Sequence, residues 1–229
     1  MIDLDRHGYT IADLVLTEGQ CDHIASSLPE VSGRRGGVRN LIDHPTVVRL
    51  LSAERLGRFI WRATGRDLVA VKATLFDKTA EANWRVQWHQ DRMIAVRERL
   101  DVPGYSRWTR KEGLVHVEAP ATVLAQMIAI RVHLDECGPD NGPLRVIAGT
   151  HRAGKLSDRD LAAAVADRDA VELYVPRGAM LLIRPLLVHS SSAAVETRHR
   201  RVLHIELAPE ESISPLRWHT ALRLRRVAA

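Results

Sequence analysis

The sequence twice places a histidine two residues ahead of an aspartate, at His89-Gln90-Asp91 and at His133-Leu134-Asp135. On an extended strand, residues i and i+2 project from the same face, so either pair can aim an imidazole and a carboxylate at one ion. Two ligands from one element leave a metal incompletely held, and a third must come from elsewhere in the chain. His189 is the candidate, because it closes the apolar run Leu186-Leu187-Val188 late in the sequence. Two histidines and one carboxylate hold a divalent metal on one side and leave positions open on the other, as in non-haem iron(II) oxygenases. The same ligand types also serve zinc hydrolases. Spacing alone does not choose between the two His-x-Asp pairs.

Rigid elements must position these groups, and the chain changes character near Gly65. Residues 1–65 read as helical cover. Thr17-Glu18-Gly19-Gln20 offers an N-cap to a helix that carries Ile24 and Leu28 and ends at Pro29, and Ser32 to Gly37 form a Gly/Arg loop. A second helix is expected over Pro45–Ala63, with Val48, Leu51, Leu56, Phe59 and Ile60 on its apolar face and Gly65 stopping it. After Gly65, short apolar or alternating segments separated by turn residues favour a β-sandwich or small barrel. Strands are expected near Val69–Phe76, Val86–Gln90, Met127–Leu134, Leu144–Ile147, Val171–Val175, Ala179–Arg184 and Arg201–Leu207, with one helix, Asp158–Ala166, among them. Residues 92–125 read as a long, polar, irregular insert following the His89-x-Asp91 strand, placed to act as a lid. No repeat or low-complexity linker divides the chain, so 229 residues are expected to form one domain, with a β core over residues 66–210.

Composition limits the function classes. A hydrophobic share of 45% supports a packed core and excludes a disordered chain. Net charge is +5 and the pI is near 9.7, but the basic residues are scattered and no nucleic-acid-binding motif accompanies them, so no nucleic-acid partner is expected. The one basic cluster, Arg217-Trp218-His219 through Arg223, Arg225 and Arg226, reads as a solvated terminal face. Cys21 and Cys137 lack metal-like spacing, and no charged-apolar leader or membrane-length apolar run is evident. A cytoplasmic monomer or homodimer without membrane association is the resulting expectation.

Three blocks between Ala73 and Pro209 resemble the phytanoyl-CoA dioxygenase family. The first is Trp88-His89-Gln90-Asp91. The second is His133-Leu134-Asp135-Glu136 followed by Asp140-Asn141-Gly142-Pro143 and Leu144 through the ending Gly149-Thr150-His151. The third is Gly178-Ala179-Met180-Leu181-Leu182, leading into His189-Ser190-Ser191 and Arg200-Arg201. The resemblance implies an iron(II)- and 2-oxoglutarate-dependent oxygenase on a double-stranded β-helix: a mainly β, jelly-roll, cupin-like fold with flanking helices. It also implies that His89, Asp91 and His189 hold the iron, that His133 and Asp135 do not, and that His151 is a structural turn residue.

By the same resemblance, the distal carboxylate of 2-oxoglutarate is anchored by an arginine eleven residues after the second histidine, which is Arg200. A guanidinium suits that task through bidentate, charge-assisted hydrogen bonds. Its neighbours Arg198 and Arg201 fall before the strand and on its opposite face. Ser191 and Thr74 are expected near the cosubstrate, as is Arg131, which stands where the family often has an aromatic residue. Arg131 has two readings: it binds an anion, either the keto-acid end of 2-oxoglutarate or a substrate carboxylate, or it forms a salt bridge to Asp135 or Glu206. The implied reaction consumes dioxygen and hydroxylates a small carboxylic-acid or amino-acid-like substrate met by Arg92, Arg97, Tyr105, Trp108, His116 and Glu118 of the insert. The presence of Asp91 argues against halogenation. A redox-inactive metal-binding jelly roll and a zinc hydrolase are the competing readings.

Overall fold

The computed structural model describes residues 2–12, 16–31, 36–196 and 198–225. Its N-terminal part is mixed rather than purely helical. Helix α1 (Ile2–His7) leads into strand β1 (Tyr9–Ala12), which joins a sheet edge. Helix α2 (Glu18–Ser27) starts as expected: Thr17 Oγ1 accepts from the Gln20 N–H while Gln20 Oε1 accepts from the Thr17 N–H, closing a capping box. Of the Gly/Arg loop, residues 32–35 lie outside the described residues, and Gly37 belongs to β2 (Gly37–Val38).

The single helix expected over Pro45–Ala63 is two, α3 (Pro45–Leu51) and α4 (Glu54–Thr64). The reason is rotational phase. The first buries Val47, Leu50 and Leu51 and the second Leu56 and Ile60. Leu51 and Leu56 would stand roughly 140° apart on one straight helix. A break at Ser52-Ala53 turns both faces toward the same sheet. Gly65 then ends α4 in the left-handed conformation, with φ 64°.

The strands follow as β3 (Val69–Lys78), β4 (Val86–His89), β5 (Met93–Val96), β6 (Ser106–Lys111) and β7 (Leu114–Glu118). A one-turn helix α5 (Ala121–Leu124) precedes β8 (Ile128–His133) and β9 (Leu144–Val146). Helix α6 (Asp158–Ala166) has the expected limits, and β10 (Val171–Leu173), β11 (Met180–Ile183), β12 (His189–Ser191), β13 (Arg200–Ala208) and β14 (Leu222–Arg223) complete the chain. The large sheet runs β1-β11-β8-β13-β3-β14 with β2 also on β3, and the small sheet runs β10-β9-β12-β4. The two sheets form the jelly roll.

The insert is ordered, contrary to the irregular segment expected: β5, β7 and β6 make an antiparallel three-stranded sheet. Ile94, Val96 and Val117 pack beneath it with Val123, Leu124, Ile213, Leu216 and Trp218. The basic residues of the C-terminal segment, Arg217, His219, Arg223 and Arg225, are exposed as expected, but the segment itself is docked on the fold. Trp218 is 4% exposed, bridges to Val96 and donates its indole N–H to the Glu210 carbonyl, while β14 pairs with β3. Arg223 pairs with Glu210 and Arg225 with Glu54; Arg226 lies outside the described residues.

Strand alternation divides the large sheet into two unlike faces. Ala73 and Leu75 of β3, Ile128, Ile130 and Val132 of β8, and Leu203, Ile205 and Leu207 of β13 point outward and are covered by α2, α3 and α4. The opposite faces of the same strands carry Lys72, Thr74 and Lys78, then Arg131 and His133, then Arg200, His204 and Glu206. The main hydrophobic core therefore lies outside the barrel, between sheet and helices.

Candidate metal centre and anion pocket

Strand β4 delivers His89, and β12 delivers His189 as its direct cross-strand partner, which brings the imidazoles to 4.2 Å between centroids. Asp91 sits two residues beyond the end of β4, fixed by a hydrogen bond from its N–H to the Pro185 carbonyl at 2.9 Å. Gln90 between the two points the other way: its Nε2 donates to the Gly154 and Leu186 carbonyls and its Oε1 accepts from Arg92 and the Leu156 N–H. The ligand pair is thus held by a locked turn rather than by continuing strand.

His89 Nε2 lies 3.6 Å from Asp91 Oδ1, and His189 Nε2 lies 3.6 Å from Asp91 Oδ2. Ligand atoms of all three residues fall within 4.8 Å of one another, and no other group of this kind is found among the described residues. Both Nδ1 atoms face backbone carbonyls at 2.8 Å, Gln87 for His89 and Leu187 for His189, so each Nδ1 donates and each Nε2 is left to bind an ion. Burial pushes His189 down to about 4, which favours the neutral ligand form. Burial also opposes ionisation of Asp91, but His189 and His89 outweigh it and hold the carboxyl well below the usual carboxylate range. His89 is raised, because the Asp91 carboxylate overcomes its burial.

The two members of the second His-x-Asp pair point apart and form no such cluster. Asp135 accepts two hydrogen bonds from the Arg201 guanidinium, at 2.8 and 2.7 Å, and one from the Arg201 N–H. His133 is buried with no hydrogen-bond partner on either ring nitrogen, and burial, with Arg131 and Arg200 nearby, holds it far down in its neutral form. Arg198 pairs with Glu196 on the surface, so Arg200 is the interior arginine of the three. His151 Nε2 faces the Asp5 carbonyl at 3.2 Å, beside α1 and away from the site.

Cross-strand register lays the interior residues out in rungs. Lys72 faces Glu206, Thr74 faces His204, which faces Arg131 on its other side, and Lys78 faces Arg200. All of these line one cavity of about 230 Å³ together with His89, Asp91, His189 and Ser191. Each interior position expected from the sequence, Thr74, Arg131, Ser191 and Arg200, is therefore in the same cavity as the three metal-type ligands. Lys72, Lys78 and His204, to which the sequence assigns no role, are there too, with Glu206, which the sequence offers only as a partner for Arg131. The β3 alternation through Thr74 could have flagged both lysines.

Only some of these charges are neutralised within the chain. Lys72 and Glu206 pair at 2.6 Å, and despite burial of both groups Lys72 is raised and Glu206 lowered by the pairing. Arg131 makes neither salt bridge considered for it, since Asp135 is taken by Arg201 and Glu206 by Lys72. It meets His204 Nδ1 at 3.3 Å and the Phe76 ring at 5.9 Å, and its Nε has no partner. Arg200 donates from Nη1 to the Gly142 carbonyl at 2.6 Å, and its Nε has none either. Gly142 is required here: its φ is +71°, and a Cβ would stand 2.6 Å from the Ser192 carbonyl oxygen and 2.8 Å from Lys78 Nζ.

A second, more open cleft of about 570 Å³ meets the ligand cluster from outside and shares His89, Asp91, Lys72 and Glu206 with the inner cavity. Arg92 and Glu118 line it, as does Arg107. His116 lines a different depression, and Tyr105 and Trp108 pack against the hydrophobic cluster under the insert, so these three are not brought to the cleft. Nor is Arg97, whose N–H donates to the Arg217 carbonyl.

The donor set and the unpaired interior cations fit a divalent metal beside a dicarboxylate. Comparisons with known proteins agree. AviO1 from Streptomyces viridochromogenes Tue57 matches with a TM-score of 0.65 at 21% identity, over 90% of this chain and 92% of its own. EctD from S. alaskensis with bound Fe gives 0.70 at 18% identity, over 98% and 85%. SnoN, in complex with Fe3+, alpha ketoglutarate and nogalamycin RO, gives 0.67 at 16%, over 91% and 81%. No curated protein sequence matches, and no helix among the described residues is long and apolar enough to cross a membrane. The phytanoyl-CoA dioxygenase (PhyH) model matches residues 4–202, most of the chain, which belongs to that family of iron(II)- and 2-oxoglutarate-dependent oxygenases.

Proposed function

We propose that this protein hydroxylates a small carboxylic-acid or amino-acid-like molecule, with His89, Asp91 and His189 holding iron(II) and Arg200, Ser191, Thr74 and Arg131 holding 2-oxoglutarate. The observation that carries this reading is the meeting, in one cavity, of a three-ligand cluster with buried cations, Arg131, Arg200 and Lys78, whose side chains form no ion pair with a carboxylate among the described residues. A buried, unpaired charge is costly, so such a pocket is built for an anion supplied from outside. Neither a zinc hydrolase nor a redox-inactive scaffold accounts for those cations.

When bound, iron(II) and 2-oxoglutarate supply oxidation by dioxygen, with the cosubstrate converted to succinate and carbon dioxide. The chain's own residues prepare that chemistry. His89 and His189 present Nε2 because carbonyls hold their Nδ1 protons, and Asp91 is kept ionised. Arg200 is anchored by the Gly142 carbonyl with its Nε unpaired in the cavity wall, suited to a carboxylate. The outer cleft carries both signs of charge, with Arg92 and Arg107 against Glu118 and Asp158, which favours a small polar or amphoteric molecule. EctD, one of the fold neighbours, was crystallised with 2-oxoglutarate and 5-hydroxyectoine, whereas others are an epimerase and a carbocyclase. Product analysis distinguishes hydroxylation, which adds one oxygen atom to the substrate, from those outcomes.

The test is anaerobic addition of iron(II) and 2-oxoglutarate, followed by admission of air. A visible charge-transfer band and then succinate are expected, with both lost in Asp91→Ala. Activity supported by zinc, without that band, would refute the oxygenase reading. Succinate release stimulated by members of a panel of carboxylic and amino acids would locate the substrate class.

A further inference from the structure

Lys78 ends β3 on its interior face and is 1% exposed. Its Nζ donates to Ser191 Oγ at 2.8 Å and to the Ser192 carbonyl, and the Trp84 ring covers it at 5.6 Å from the centroid. No carboxylate is among these partners. Asp77, its neighbour in sequence, is engaged by His199 Nδ1 and the Arg200 N–H. The residue directly opposite Lys78 across the β3–β13 pairing is Arg200. Two like charges facing each other across a sheet repel, and here both are buried.

The two cations are also tied to one hub. Ser191 Oγ accepts from Lys78 and donates to the Gly142 carbonyl at 3.0 Å, and Arg200 Nη1 donates to that same carbonyl. A side chain at Gly142 would collide with Lys78 Nζ, so the turn that serves Arg200 also makes room for Lys78.

We propose that Lys78 is a second cationic anchor for the distal carboxylate of 2-oxoglutarate, gripping it opposite Arg200. This rests on the cosubstrate reading above and adds to it a residue outside the set proposed there. An anion between the two side chains turns a repulsive pair into two charge-assisted hydrogen bonds.

A consequence follows from the charge state of the amine. Burial and then Arg200 push Lys78 down to about 7, Arg131 on β8 adds to this and Cys137 opposes it. Near neutral pH part of the population is therefore neutral without ligand. A carboxylate favours the ammonium, whose third N–H is then available to it, so 2-oxoglutarate binding above about pH 7 takes up a proton.

The experiment is calorimetric titration of the iron(II)-loaded, anaerobic protein with 2-oxoglutarate at about pH 8, in two buffers of different ionisation heat. Wild type is expected to take up a substantial fraction of one proton. Lys78→Met should bind 2-oxoglutarate about 10–100-fold more weakly without that uptake, yet bind 2-oxobutanoate, which lacks the distal carboxylate, as wild type does. Lys78→Arg, permanently charged, should keep most of the affinity and lose the uptake. Equal weakening for both keto acids would mean that Lys78 is structural and would overturn the proposal. So would wild-type binding without proton uptake and undiminished affinity in Lys78→Met. If wild type binds no 2-oxoglutarate at all, the cosubstrate reading itself fails.

Discussion

Arg131→Met exchanges a buried guanidinium for a flexible apolar side chain, and the structure sets what that should do. Arg131 has one hydrogen bond, to His204 Nδ1, one ring-face contact, to Phe76, and a partnerless Nε. Burial and the neighbouring Arg200 push it down to about 10 from its usual 12.5, which disfavours its charged form by about 3 kcal/mol. Against this, the hydrogen bond and the ring contact contribute about 1 kcal/mol or less each. Removing the charge should therefore stabilise the metal-free, ligand-free protein by about 1–2 kcal/mol, raising Tm by roughly 2–8 °C.

The same substitution should weaken 2-oxoglutarate at least about tenfold, because the anion loses one of its compensating charges. Differential scanning calorimetry of the metal-free protein reads the first effect, and anaerobic titration of the iron(II)-loaded protein reads the second. A Tm at or below wild type would refute the charge argument. Raised stability with unchanged affinity would remove Arg131 from the cosubstrate site.

Three further outcomes are expected. Gly142→Ala should cost about 2–4 kcal/mol in denaturant unfolding, from left-handed backbone strain and the contact with the Ser192 carbonyl, and should weaken 2-oxoglutarate as well. Lys78 is depressed in the folded state, so between about pH 7 and 10 the unfolded chain binds more protons and the lysine's penalty is relieved as pH rises. The Tm advantage of Lys78→Met over wild type in ligand-free protein should accordingly be larger near pH 6.5 than near pH 9, as melting curves across that range would show. Finally, Asp135→Asn should lower stability through its pairing with Arg201 yet leave iron(II) affinity unchanged, whereas Asp91→Asn should reduce metal affinity by more than the roughly 10–100-fold that losing an outer partner costs.

How much of this was legible depended on whether the determinant was local. The strand rhythm after Gly65, the Thr17 cap and the limits of α6 follow from alternation and capping, and these were readable to within a residue or two. The choice between the two His-x-Asp pairs was not local. It turns on Arg201 reaching Asp135 across 66 positions of sequence, and on His189 meeting His89 across the small sheet. The insert read as irregular because β6 is largely exposed and carries few apolar residues, and because Arg107 and Glu112 adopt positive φ. Trp218 looked like part of a basic tail because its burial depends on β5, far earlier in the chain. Alternation along β3 places both lysines on the interior face, but only the register of β3 against β13 shows that Lys72 has an acid opposite it and Lys78 an arginine.

That register also explains why the helical cover exists. The rungs that hold Lys78 with Arg200 and Arg131 with His204 bury polar and charged groups, whereas Leu144, Val146, Leu181 and Ile183 pack between the two sheets elsewhere in the interior, so the inner faces of β3, β8 and β13 gain less from apolar burial than their outer faces do. The apolar sides of β3, β8 and β13 must then be buried elsewhere, and α2, α3 and α4 supply the surface that buries them. The break at Ser52-Ala53 serves the same end by turning Leu56 and Ile60 onto the sheet that Val47 and Leu51 already cover. Stability and chemistry thus lie on opposite faces of the same three strands. Substitutions that remove interior cations should raise stability while lowering ligand affinity, and large-to-small changes at Ile130, Leu203 or Ile205 should do the reverse: lose about 2–5 kcal/mol of stability with the anion pocket unaltered. Unfolding measurements paired with 2-oxoglutarate titration of both sets would show the two properties separating, and a core variant that lost affinity in proportion to stability would contradict the division.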